Sequence, residues 1–406
     1  MTTYGMLSTY PPTQCGLATF SAALTRALRG PRSSRDHVDV VAVVDEPGET
    51  ITLGGHPAAG RDEPSSEWVR GRPGGAASTA ARLSRCDVAI VQHEYGIFGG
   101  ADGDDVLEVV RDLTVPLVVV LHTVLTTPTL HQREVLDELV LLADVVVTMT
   151  QTAHERLLQH YTVDPGIVHV VPHGALDSRP VGVPDPQPTG TTDPSYGEPT
   201  RPTVLTWGLI GPGKGIEWAL QAIDLLRDLD PRYRVVGETH PKVVEHEGER
   251  YREWLEREVV SLDLAGLVEF DSRYLDAATL RSLVDAADVV LLPYDSLDQV
   301  TSGVLTEAVC AGRPVVATGF PHARELLASG AGIVVERQDP AAMAAALRRV
   351  LTDPATAHDM TAEAQRLAPS LEWTAVADRY RTLVADAMNQ RHRRDEETPH
   401  RAKVGA

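Results

Sequence analysis

Short apolar runs, rich in Val, Ile and Leu and closed by polar residues, recur along the first half of the chain. "MTTYGMLSTY", "HVDVVAVVD", "CDVAIVQHEYG", "PLVVVLHTV", "DVVVTMT" and "IVHVVPHG" each predict a strand. Helical spacing separates several of them, in "DDVLEVVRDL", "HQREVLDELVLLA" and "QTAHERLLQHY", and the loop "PPTQCGLA" leads into a helix from about Thr19 to Leu28. Strands alternating with helices predict parallel sheets covered on both faces.

The pattern then breaks. From Asp177 to Pro202 the chain is crowded with Pro, Gly and Thr, a composition that cannot build a core and reads as a linker or long loop. Afterwards the alternation restarts. "TVLTWG", "YRVVGE", "LVEFDSRY", "DVVLLPY", "PVVAT" and "GIVVE" predict strands, and "GIEWALQAIDLLRDL", "GERYREWLEREVVSLDL", "DAATLRSLVDAA", "GVLTEAVCA" and "DPAAMAAALRRVL" predict helices. The expected organisation is α/β, with two doubly wound, Rossmann-like domains over 1–180 and 202–370 and a linker over 181–201. A final helix is expected over 371–390, followed by a polar tail over 391–406. In open parallel sheets ligands bind beyond the C-terminal strand ends, so the loops of two such domains, facing across a cleft, are where chemistry is expected.

Charge narrows the partners. Lys and Arg total 37 against 57 Asp and Glu, a formal net charge of -20. That balance supports neither a nucleic-acid backbone nor an anionic lipid surface as partner. No apolar stretch approaches the roughly 20 residues that span a bilayer. "MTTYGMLSTYPP" lacks a basic segment followed by an apolar run, so it does not read as a secretory signal. Cys15, Cys86 and Cys310 are too scattered for a disulfide framework or zinc cluster. The expectation is a cytoplasmic protein with no membrane insertion and no bound metal.

Two stretches carry candidate chemistry. "GLIGPGKG", residues 208 to 215, follows a strand and opens a helix, like a phosphate-binding P-loop. Gly208, Gly213 and Lys214 fit that loop, but Gly215 replaces the hydroxyl that would hold magnesium, and no acidic strand end matches a Walker B. The stretch is therefore either a metal-independent cradle for a diphosphate or a tight strand–helix turn with an exposed Lys. In "DQVTSGVLTEA", Ser302 predicts an N-cap, and Gly303 gives access to the free N–H groups of the first turn. Glu307, about a turn further in, is placed either to accept hydrogen bonds from ribose or sugar hydroxyls or simply to face solvent.

The order "GLIGPGKG", "VVGE", "LVEF", "ADVVLLPY", "SGVLTEAVCAGRPVVAT", "GAGIVV" resembles the C-terminal half of GT-B glycosyltransferases, and most closely retaining glycosyltransferase family 4. "PPTQCGLATF" and "LHT" fit the N-terminal half, so the resemblance covers roughly residues 3 to 388. "GETHP", "QHEYGIFGG", "HTV" and "PHG" together are similar to a bacterial subgroup of that family. Two positions depart from the family pattern. Leu209 stands where an Arg usually helps Lys clamp the donor diphosphate, and the usual acidic pair becomes Gln299 and Glu307. Arg273 and Arg313 are candidates to replace the missing charge.

The resemblance implies a GT-B fold whose last helix crosses back to the first domain, making Trp373 and Tyr380 packing residues. It implies a retaining glycosyltransferase that moves a hexose from a nucleotide-diphosphate sugar, of the GDP-mannose or UDP-glucose type, to a hydroxyl of a soluble sugar or small molecule. No cofactor beyond the nucleotide sugar and no metal is required, and the protein is expected as a monomer or homodimer. Gly16, Gly208, Gly213, Lys214, His240, Gln299, Ser302, Gly303, Val304 and Glu307 would bind the donor, and His93 and Glu94 the acceptor. His122, Lys214 and Glu307 would be catalytic. On its spacing alone His122 is a strand-end histidine with a structural hydrogen bond, and His173 in "PHG" either reaches the cleft or packs. The departures leave two alternatives: a retaining glycoside phosphorylase using sugar phosphate and inorganic phosphate, and a non-catalytic sugar-nucleotide-binding protein.

Overall fold

A computed structural model describes residues 1–31, 35–52, 63–175 and 201–401. The segment expected as a linker lies outside the described residues except for Arg201. The chain divides into two compact units, Met1–Gly174 with Trp373–Ala406, and Ala175–Glu372.

The first unit holds seven strands: β1 (Thr3–Ser8), β2 (His37–Val44), β3 (Ser66–Val69), β4 (Val88–His93), β5 (Leu117–Leu121), β6 (Val145–Thr148) and β7 (Val168–Val170). All pair in parallel, in the order β3-β2-β1-β4-β5-β6-β7. Every residue of β4 and β5 is buried, the signature of strands covered on both faces. The second unit holds β8 (Thr203–Trp207), β9 (Arg232–Val236), β10 (Val268–Asp271), β11 (Val289–Leu292), β12 (Val315–Thr318) and β13 (Gly332–Val335). They too are parallel, in the order β10-β9-β8-β11-β12-β13.

In both sheets the chain starts near the middle, runs to one edge and then returns to build the other. Strand order therefore reverses between β1 and β4 in the first sheet and between β8 and β11 in the second. Such a reversal leaves a crevice at the C-terminal strand ends, because the loops there leave in opposite directions. "PPTQCGLA" follows β1 and "GLIGPGKG" follows β8, so each of these loops opens onto a reversal point.

The last helix, Trp373–Arg401, belongs to the first unit and runs through most of the segment expected as a polar tail. Trp373, Val376, Ala377, Tyr380, Val384 and Ala387 repeat at helical spacing and join the core built on β1, β2, β4, β5 and β6. The indole of Trp373 meets Phe20 edge-on at 5.0 Å, and its six-membered ring would lie 2.3 Å from a Cβ placed on Gly174. Arg381 donates to the Ala27 and Leu28 carbonyls, satisfying acceptors at the end of the helix Gly16–Arg29.

Several elements went unread in the sequence: β3, and the helices Gly75–Leu83, Pro241–Glu247, Pro321–Leu326 and Pro354–Leu371. Trp373→Ala is expected to destabilise the first unit by about 3–5 kcal/mol, as for other large aromatic truncations in a core. Gly174→Ala should also destabilise it, by about 1–3 kcal/mol of overpacking against the indole. Urea unfolding of both variants checks this, and a midpoint unchanged for Trp373→Ala would contradict the assignment.

Candidate active site

In the second unit the glycine-rich loop is built by close backbone contacts. Gly208, Gly213 and Gly215 hold φ of 121°, 85° and 66°, values that favour glycine. A Cβ on Gly215 would lie 1.9 Å from the Pro293 carbonyl oxygen, and one on Gly237 would lie 2.0 Å from that of Gly208. The loop thus nests against the ends of β9 and β11. Asp295 N–H donates to the Gly213 carbonyl at 2.9 Å, and the Asp295 carboxylate accepts from Trp218 Nε1 at 3.0 Å. Lys214 Nζ stands 4.4 Å from the centroid of the Tyr294 ring, a cation–π contact. Burial pushes its ammonium pKa down to about 8, although the residue keeps part of its surface exposed.

The helix Gly303–Cys310 begins beside this loop: a Cβ on Gly208 would touch Val304 Cγ2 at 3.5 Å. Ser302 caps it, its Oγ accepting from Leu305 N–H at 3.2 Å. The Ser302 N–H donates in turn to His322 Nδ1 at 2.8 Å. The serine is therefore fixed by its neighbours and is 3% exposed, so what it offers a ligand is the orientation of the first helical turn. Glu307 accepts from Trp207 Nε1 at 3.4 Å. Burial raises its carboxyl pKa to about 7, against a smaller opposing pull from the indole N–H. The loop, the helix start and Glu307 form one constellation at the ends of β8 and β11.

The remaining second-unit candidates divide. His240 lies against the loop, its N–H donating to the Ile210 carbonyl at 2.8 Å. Its imidazole caps the helix Pro241–Glu247 through a 3.2 Å bond from Lys242 N–H. Burial lowers its pKa, and the charge of Lys214 lowers it further. Gln299 N–H donates to Ser296 Oγ at 3.0 Å, and its carbonyl accepts from His322 N–H at 3.4 Å. Both candidate replacement cations already have partners in the structure. Arg273 is paired with Asp271 at 2.6 Å, which holds that carboxyl down at about 2. Arg313 donates to the Asp285 and Ala287 carbonyls, which precede β11, so it serves the opposite end of the sheet.

In the first unit, Gly16 opens the helix Gly16–Arg29, three residues earlier than the sequence suggested. A thiol does the capping: Cys15 Sγ accepts from Ala18 N–H at 3.3 Å. A Cβ on Gly16 would meet nothing within 4 Å, so this helix start is open to a ligand. His122 Nε2 lies 2.8 Å from Gln92 Oε1; with that nitrogen as donor, Nδ1 is left as an acceptor. Burial, with smaller contributions from His173 and His93, lowers its pKa well below the ordinary value, so the ring is neutral at physiological pH. Phe20 meets both His122, at 4.7 Å, and His173, at 5.0 Å.

His93 and Glu94 are not equivalent. His93 is 0% exposed, neither ring nitrogen has a hydrogen-bond partner, and burial lowers its pKa to about 4. It offers an acceptor no surface. Glu94 accepts from the Thr123 hydroxyl and from Tyr95 N–H, which places its carboxylate beside the strand end that carries His122. Sequence reading passed over Trp207, Trp218, Tyr294 and Asp295, which shape the second-unit constellation. Trp207 closes β8 and Tyr294–Asp295 stand one residue beyond the end of β11, which was the available signal. Among the described residues no group of His, Cys, Asp and Glu is arranged to hold a metal ion, and no helix is long and apolar enough to cross a membrane.

The Lys214 environment is testable. Because its pKa is lowered, the ammonium is lost as pH rises through about 8. Amine labelling followed by mass spectrometry across pH 6 to 11 should find Lys214 reactive about two units earlier than exposed lysines, whose pKa is about 10.4. Gly215→Ala, which drives the loop off Pro293, should return it toward the ordinary value; equal profiles in both proteins would contradict the description.

The chain is similar to known proteins in both sequence and fold. The family model for glycosyl transferases group 1 matches residues 201–353, nearly all of the described second unit. A D-inositol 3-phosphate glycosyltransferase of Corynebacterium glutamicum (strain R) is 30% identical over 300 residues, covering 68% of each chain. The enzyme of that name from Corynebacterium diphtheriae is 31% identical over 296 residues, 68% of this chain and 67% of that one. Among solved structures, Anabaena HepE in complex with UDP superposes with a TM-score of 0.71 at 16% identity, over 95% of this chain and all (100%) of that one. Sucrose-phosphate synthase from Thermosynechococcus elongatus gives 0.67 at 18% identity, with the same 95% and 100% coverage. These structural likenesses extend across both sheets and establish the GT-B fold. The chain belongs to the group 1 glycosyl transferases and is a glycosyltransferase enzyme.

Proposed function

We propose that this enzyme is a retaining glycosyltransferase that moves a hexose from a nucleotide-diphosphate sugar to a hydroxyl of a soluble sugar or small-molecule acceptor. The observation that carries the reading is the second-unit constellation: glycines 208, 213 and 215, Lys214, the open first turn at Gly303 and Val304, and Glu307, gathered at one strand reversal. Glycine lets backbone approach phosphate oxygens, the helix start presents N–H groups, and Lys214 adds a positive charge. Glu307 is placed to accept from the paired hydroxyls of a ribose or sugar. Gln299 contributes uncharged hydrogen bonds to the donor sugar. HepE's complex with UDP favours the same donor class.

Catalysis in this reading is mainly charge stabilisation. As the glycosidic bond breaks, charge develops on the departing diphosphate, and Lys214 with the backbone N–H groups meets it. We assign no enzymic nucleophile: the acceptor hydroxyl attacks the face that the diphosphate leaves, the new C–O bond replaces the bond to the phosphate, and the hydroxyl's proton passes to the departing phosphate oxygen. His122, neutral and with Nδ1 as acceptor, orients a sugar hydroxyl. Glu94 is the first-unit carboxylate for the acceptor. The reaction is driven without a metal ion. A soluble protein in the cytoplasm, monomeric or dimeric, suits such substrates, and D-inositol 3-phosphate is the first acceptor to try.

Thermal-shift measurements with UDP, GDP, ADP and their hexose conjugates identify the donor, since a ligand bound by the folded state raises the melting temperature. A shift with one nucleotide family is expected; none with any would sink the proposal. Lys214→Ala and Glu307→Ala should each weaken that nucleotide at least tenfold. Glu307 is protonated below about 7 and Lys214 loses its charge above about 8. The kcat/KM profile should therefore be a narrow bell between those values, because it reports the free enzyme. Glu307→Gln should flatten the acid limb and Lys214→Arg should move the alkaline limb upward. His122→Ala should lower kcat at least tenfold while leaving donor affinity within about threefold; unchanged kcat removes His122 from the reaction.

A further inference from the structure

Leu209 brings no charge to the glycine-rich loop, and Arg273 and Arg313 are held elsewhere. One guanidinium, however, is bonded to the backbone strip on which the loop rests. Arg252, in the helix Arg250–Ser261, is 7% exposed. Its Nη2 donates to the Gly237 carbonyl at 2.6 Å and its Nε to Thr239 Oγ1 at 3.2 Å, while Nη1 is buried with no partner. Its nearest carboxylate, Glu249 at 3.6 Å, is itself about half exposed and accepts from the Thr239 hydroxyl.

Gly237 to Thr239 is the strip against which the loop is zipped. Gly208 N–H donates to the Val236 carbonyl at 3.0 Å, Ile210 N–H to Glu238 at 2.8 Å, and His240 N–H back to Ile210 at 2.8 Å. Ile210 and Thr239 form a parallel bridge that prolongs the pairing of β8 with β9. A guanidinium fork gripping this strip at two points fixes the register from which Gly213 and Lys214 emerge. Glu249, half exposed at 3.6 Å, offsets part of the guanidinium charge but leaves Nη1 unpaired, and an anion seated on the loop would offset more of it.

We propose that Arg252 is a positioning residue for the donor's diphosphate: it locks the strip under the glycine-rich loop, and its buried charge offsets that of the phosphates the loop receives. This rests on the nucleotide-sugar reading above. It makes the site selective for two phosphates over one, through a residue that does not touch the ligand.

The test compares UDP with UMP, GDP with GMP and ADP with AMP by calorimetry, in the full-length wild type, Arg252→Lys and Arg252→Met. Whichever diphosphate binds the wild type should bind Arg252→Met at least tenfold more weakly, with its monophosphate changed less than threefold. Arg252→Lys, which keeps the charge but not the fork, should fall between. A diphosphate affinity within twofold of wild type in Arg252→Met overturns the proposal. So does a parallel loss for both nucleotides tracking a lowered melting temperature, which is the mark of a merely structural residue. If Arg252→Met does not fold, Thr239→Val removes one prong's acceptor and should give the same selectivity loss at smaller amplitude; no selectivity change there overturns the proposal equally. A wild type that binds none of the diphosphates overturns the donor reading along with this one, whereas wild-type binding with an indifferent Arg252→Met overturns this one alone.

Discussion

The candidate site hangs on one close approach, that of the Gly208 and Gly237 backbones. Any side chain at Gly237 would run into the Gly208 carbonyl, and Gly208 itself holds a φ of 121° that favours glycine, so these two positions let β8 and β9 continue past their formal ends. That continuation carries Ile210 to Thr239 and turns a flexible exit loop into a hydrogen-bonded shelf. Gly215 repeats the device against Pro293 on the other side. With both flanks fixed, the residues between them have few conformations left, and Lys214 is directed to the face of Tyr294. As the proposed anion site, a loop prepared in this way would lose little entropy on receiving its ligand.

The titrating groups of this constellation share one electrostatic character. Lys214 and Glu307 are opposite in sign, yet burial moves both toward neutrality, one down to about 8 and the other up to about 7. Each is less well solvated than a surface group, and each therefore gains more from a charged or hydrogen-bonding ligand than its exposed counterpart would. The histidines of the first unit follow the same rule. His93, His122 and His173 are all shifted down by burial, so none is a resident cation at neutral pH. The overall charge of -20 thus tells little about these interiors, where local desolvation decides protonation.

The sequence disclosed most of what is repetitive. Runs of branched apolar residues such as Leu117–Leu121, flanked by helical spacing, read as covered strands, whereas the spatial order of the strands, and with it the reversal points, came from the structure. β3 escaped because "SEWV" is four residues at a sheet edge with one inward side chain, Trp68. The helix Pro354–Leu371 escaped because the middle of its buried stripe, Ala364 and Ala368, is two small residues between Met360 and Leu371, and because Pro369 lies within it. Strand ends are where residue type alone misleads: His93 and His122 look alike in sequence, but only the first is wholly enclosed. Arg252 left a trace that pattern reading passed over, an arginine on the same helical face as Leu255 and Val259. A charge in an apolar stripe is worth asking about, since it needs a partner that the stripe cannot supply.

The return of the helix Trp373–Arg401 to the first unit has a bearing on how the chain is made. Residues 175–372 form an uninterrupted stretch and have all their own parts as soon as they leave the ribosome. The amino-terminal sheet, although synthesised first, lacks the side chains of Trp373, Val376, Tyr380 and Val384 that close its core. Until the last residues emerge, the apolar surface around Phe20 and Val38 is left uncovered, an invitation to aggregation or to chaperones. The first core is thus closed by a segment that follows the whole second unit in the chain, so loss of Trp373 and the helix it begins would leave the amino-terminal sheet open.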